Sequence, residues 1–162
     1  MSGGRSAKVV AAFAVLVALH YTVRPLLAWR ASMDFLVIAV MLMSVRLRPG
    51  TAAFLGFATG LISDSLTPTA FGAGALGMTA IGFGASWLKA IFFADNVILH
   101  AAFFFLGKWA YDLVYVVARR EGSPMEIATQ LLIWSPLAAL LTAAAGVAIM
   151  AAFRVTLEPE RA

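Results

Sequence analysis

The stretch SMDFLVIAVMLMSVRLRPGTAAFLGFATGLISDSLTP, from Ser32 to Pro68, decides the fold. Two apolar runs flank Arg46-Leu47-Arg48-Pro49-Gly50, a break that combines turn chemistry with charge. A helix crosses ~30 Å of hydrocarbon in about 20 residues, with a workable range of roughly 17–25. The second run, Thr51 to Leu66, is close to that length, and the first, Ser32 to Val45, is shorter. Arg30 and Arg46 bracket the shorter run, where their stems can lie along lipid while the charged heads stay wet. The pair therefore reads as a helical hairpin in a membrane.

Outward from this hairpin, the same test predicts an all-α chain of six spans, over 8–23, 32–45, 51–66, 69–93, 96–118 and 124–153, in one integral membrane domain. Five spans with one re-entrant segment is the alternative count. Ser123-Pro124-Met125-Glu126 has the residues of a helix start, with Ser as the cap, Pro in the first turn and Glu three residues on. The sixth span is longer than a bilayer needs, which predicts a tilt or a bend near Pro136.

Composition agrees. The chain is 62% hydrophobic and 12% charged, with a mean hydropathy of +0.92, whereas a soluble domain carries about 25% charged residues. Water cannot be its main solvent. The absence of Cys removes disulfides, zinc ribbons and thiol catalysis. The net charge of +4 comes from Lys and Arg at the ends of apolar blocks, a topology pattern at anionic lipid and not a nucleic-acid stripe. A cleaved signal is excluded as well, because the first run passes through His20, Tyr21 and Arg24 without a small-residue cleavage pattern. With the N-terminus in the cytoplasm, Arg5, Lys8, Arg46, Arg48, Lys89, Arg154 and Arg161 fall inside, and Arg24, Arg30, Arg119 and Arg120 outside. This bias predicts both termini in the cytoplasm.

Ionisable groups in hydrocarbon are costly, about 2.5–3.5 kcal/mol each on insertion scales, so they normally face protein and are paired. Lys108 and Asp112 are four residues apart in the fifth span and so share a helix face. A structural bridge is the commoner role for such a pair, and a substrate or proton site the rarer one. Asp34 and Asp64 form a second set, expected at similar depth on the outer side with Arg24 and Arg30 as counter-charges. They read as loop-orienting carboxylates, or as a polar patch for a partner or ligand. His20 and His100 lie on different spans without an acidic neighbour one turn on, a poor metal pattern, and no metal or cofactor is expected. Gly56 and Gly60 in the third span, with Gly72, Gly74, Gly77, Gly82 and Gly84 in or near the fourth, provide grooves for close helix approach, within the bundle or to a partner helix. The sequence carries no nucleophile elbow, phosphate-cradling loop or H-E-x-x-H motif, which argues against an enzyme.

Met33 to Leu76 resembles the rod shape-determining MreD family. The matching residues are Asp34 opening the second span, Arg48-Pro49-Gly50 in the turn, Gly56, Gly60 and Asp64 in the third span, and Pro68 with Phe71-Gly72 leading into the fourth. Asp112 resembles a polar position of the family's fifth span, while Met33 stands where the family often has proline. The resemblance implies a non-enzymatic role in cell shape and peptidoglycan synthesis at the bacterial inner membrane. It also implies an MreC-like partner, and association with the RodA glycosyltransferase, a class B penicillin-binding protein and MreB. The fold it implies is like the substrate-binding subunits of energy-coupling-factor transporters. A substrate-binding subunit of a vitamin-type transporter is accordingly the rival function.

Overall fold

The computed structural model describes the backbone over residues 3–27, 33–66, 70–89, 96–119 and 122–157, and side chains over 10–23, 33–66, 70–89, 96–119 and 122–152. Pro68, Arg30, Asp95 and the side chain of Arg24 lie outside the described residues.

Among the described residues every regular element is helical: α1 Gly3–Leu27, α2 Phe35–Ser44, α3 Pro49–Leu66, α4 Ala73–Trp87, α5 Val97–Arg119, α6 Pro124–Thr129 and α7 Ser135–Leu157, the last two joined through a π-helical turn, Gln130–Trp134. Ser123 and Glu126 form a capping box, with each side chain accepting from the other residue's backbone N–H. The π turn stands just before Pro136. Pro136 has no N–H for the Leu132 carbonyl, and a wider turn keeps its ring clear of the preceding backbone. The Trp109 indole N–H donates to the Leu131 carbonyl, 3.3 Å away, and so ties this turn to α5.

At the centre is α2. It has only ten residues, about 15 Å of helix, yet Phe35 to Met41 are all buried. It contacts α1, α3, α4, α5 and α7. Over Phe35 to Met41 this helix is enclosed by protein and has no need to match the bilayer. This gives the short second run a different physical basis from the snorkelling of Arg30 and Arg46.

The α3–α4 hairpin packs backbone to backbone. A Cβ placed on Gly60 would lie 2.5 Å from Ala75 Cα, one on Gly82 would lie 2.5 Å from the Ala52 carbonyl oxygen, and one on Gly56 would overlap the Met78 carbonyl. These glycines are occupied within the bundle. Gly84 differs, with nothing within 4 Å of a Cβ built there. The fourth apolar run predicts a helix from Thr69, but α4 starts at Ala73, because Gly72 takes a φ of 95° that ends the preceding turn.

Among the described residues two helical stretches, Val97–Arg119 and Pro124–Ala152, are long and apolar enough to cross a membrane. Only 22% and 33% of their most apolar windows are buried. A soluble protein would hide such helices, so their bare faces belong against lipid or other helices.

Candidate functional site

Four ionisable side chains from three segments of the chain converge halfway along the bundle. Lys108 is eleven residues into α5, about 17 Å from its start. Asp34 caps α2, about 15 Å along that helix from the α2–α3 turn. Lys108 Nζ lies 3.1 Å from Asp34 Oδ2 and 2.6 Å from Asp112 Oδ1, so one ammonium serves two carboxylates. Its Nζ also stands 5.0 Å from the centre of the Tyr111 ring, within cation–π range. Asp34, Lys108 and Asp112 are all buried.

Asp34 is placed by its role in the chain. As the N-cap of α2, it accepts the Val37 N–H through Oδ1 at 3.3 Å, while its own N–H donates to Thr142 Oγ1 on α7 at 3.1 Å. His20, from α1 and 3% exposed, completes the group. Its Nδ1 lies 3.3 Å from both Asp34 Oδ1 and the Leu36 N–H. A single ring nitrogen cannot accept from Leu36 and donate to Asp34 at once, so the two contacts are alternatives at one atom. The cluster thus joins α1, α2, α5 and α7 through charge and hydrogen bonding in the interior.

Asp64 has a separate task. Gly72 holds the N-cap position of α4 and has no side chain to cap with. Asp64, from the last turns of α3, supplies the missing acceptor: its Oδ2 takes the Gly72 N–H at 2.9 Å and the Ala75 N–H at 3.0 Å. Negative charge at a helix N-terminus is favourable. A Cβ on Gly74 would strike the Asp64 carboxylate. Asp34 and Asp64, grouped together on sequence, therefore belong to different clusters and differ in depth: Asp64 is about 22 Å along α3 from the turn it shares with α2. The physical reason is the shortness of α2, which leaves Asp34 well below the end of the hairpin.

Sequence reading missed His20 and Thr142 as members of this group, and missed that Lys108 is shared with Asp34. One signal for the latter was present, since a lysine in the middle of an apolar span can meet a carboxylate from another span as well as its own helical neighbour. Among the described residues, no group of three or more His, Cys, Asp or Glu is arranged to hold a metal ion.

A family model described as rod shape-determining protein MreD matches residues 7–144. The chain belongs to the MreD family. The match runs from α1 into α7 and includes His20, Asp34, Asp64, Lys108, Asp112 and Thr142, so both polar clusters lie inside the MreD region. The likeness read over Met33 to Leu76 therefore extends across most of the chain. MreD membership assigns the protein to rod-shape determination and to the membrane, in a family of shape-determining proteins. No curated protein and no solved structure matches the chain.

Proposed function

We propose that this MreD-family chain is a non-enzymatic scaffold of the cell-elongation machinery that docks an MreC-like partner, and through it associates with a RodA-type glycosyltransferase, a class B penicillin-binding protein and MreB. The family match over residues 7–144 carries this reading. In this reading the helices make six crossings in a single membrane domain, both termini are cytoplasmic, and the bundle is of the energy-coupling-factor substrate-subunit type. The interior ion cluster then lies near mid-bilayer, where an unpaired charge would be most costly.

Asp34, Lys108, Asp112 and Asp64 have a structural role in this scheme, because each is buried and engaged inside the bundle. Gly56, Gly60 and Gly72 shape the α3–α4 hairpin itself. The partner's transmembrane helix lies on the outer face of α4, along Leu76, Phe83 and Gly84. Large apolar side chains are exposed on this face, and open space over Gly84 allows close approach.

The test is a pull-down of the tagged full chain from its native membrane. An MreC-like protein should co-purify with the wild type and be lost with Gly84→Leu, which adds bulk only to the outer face. Recovery of an ATPase module in its place, or undiminished MreC-like recovery with Gly84→Leu, would overturn the role or the face, respectively.

A further inference from the structure

The end of the bundle opposite Asp64 carries a basic cluster that the scaffold role does not use. Arg46 and Arg48 flank Leu47 in the α2–α3 turn, and Lys89 follows the last turn of α4. All three side chains are exposed. One hydrogen bond joins the two segments that carry them: Ser86 Oγ donates to the Leu47 carbonyl at 2.7 Å and clamps the end of α4 onto this turn. Ser86 is one helical turn before Lys89, so the three cations radiate from a single clamp. Trp87 and Leu88, which precede Lys89 in the chain, are 69% and 47% exposed.

Among the described residues the carboxylates are Asp34, Asp64, Asp112 and Glu126, and each is engaged elsewhere in an ion pair or helix cap. Among the described residues no carboxylate pairs with Arg46, Arg48 or Lys89. An exposed Trp and Leu next to Lys and Arg at the end of a membrane helix present apolar surface to acyl chains and positive charge to headgroups. An acidic protein segment would satisfy the charges but leave Trp87 and Leu88 without apolar cover.

We propose that Arg46, Arg48 and Lys89, clamped by Ser86, form a binding site for the phosphate headgroup of an anionic phospholipid whose acyl chain lies along Trp87 and Leu88. Each Lys or Arg near an anionic surface contributes about fivefold in affinity, so removal of all three should weaken binding about 100-fold.

The experiment compares the full chain in nanodiscs of phosphatidylglycerol and of phosphatidylcholine, reading lipid retained by native mass spectrometry and the unfolding temperature. The wild type should retain phosphatidylglycerol preferentially and melt higher with it. The combined Arg46→Gln, Arg48→Gln and Lys89→Gln variant should lose both effects, and Arg46→Lys with Arg48→Lys should keep them. Equal phosphatidylglycerol retention by the Gln variant would overturn the site. Stabilisation by inorganic phosphate alone in neutral detergent, equal to that by the lipid, would overturn it in favour of a soluble anion. Binding of polyglutamate with no preference between the two lipids would overturn it in favour of an acidic protein segment.

Discussion

Lys108 holds two carboxylates that would otherwise repel each other in a buried place. Breaking a buried ion pair by removing one partner costs about 3–5 kcal/mol, mostly from the charge left behind. Lys108→Met should accordingly lower the unfolding temperature sharply in detergent, whereas Lys108→Met combined with Asp34→Asn and Asp112→Asn should recover most of the loss. The sign follows from charge, since the combined variant leaves no uncompensated ion. At Asp64 the stakes are smaller. Asp64→Ala removes the cap of α4 and should cost about 1 kcal/mol, read as a modest drop in the same melt and faster amide exchange at Gly72 and Ala75. At this scale the sequence was partly legible. The four-residue spacing of Lys108 and Asp112 was visible, but Asp34 is 74 residues from Lys108, and no local period carries a contact of that range.

Among the helices, the glycines divide by what stands over them. Gly60→Leu would drive a side chain into the Ala75 backbone, so α3 and α4 must separate at a cost of about 1–3 kcal/mol or more. Gly84→Ala meets open space and should hold or raise the unfolding temperature, since Ala is favoured over Gly in a helix by about 1 kcal/mol. Thermal melts of the two variants side by side check the contrast. Sequence spacing identified both residues as small, and could not say which had a neighbour. The break at Arg46–Gly50 and the start at Ser123 were legible because turn and capping chemistry is local. The start of α4 was not, since the acceptor that caps it comes from another helix.

For the whole molecule, composition was sufficient to reject a water-soluble fold, because apolar area must be covered by something wherever it appears. The arrangement of helices around α2 was beyond it. A short apolar run has the same composition whether it meets lipid or protein, and only the five surrounding neighbours distinguish the two. On the scaffold reading, depletion of the protein should turn rod-shaped cells round. The wild-type gene should restore the rods and Lys108→Met should not, as scored by cell length-to-width ratio under the microscope.

The shortness of α2 also bears on biogenesis. A helix of about 15 Å cannot cross a bilayer alone, so Phe35–Ser44 has no stable place of its own when it leaves the ribosome. Asp34 emerges 74 residues ahead of the lysine that neutralises it. During that interval the segment must wait in a hydrated or translocon-shielded state, to be drawn inward when α5 is delivered. The central helix would thus be among the first made and the last to settle.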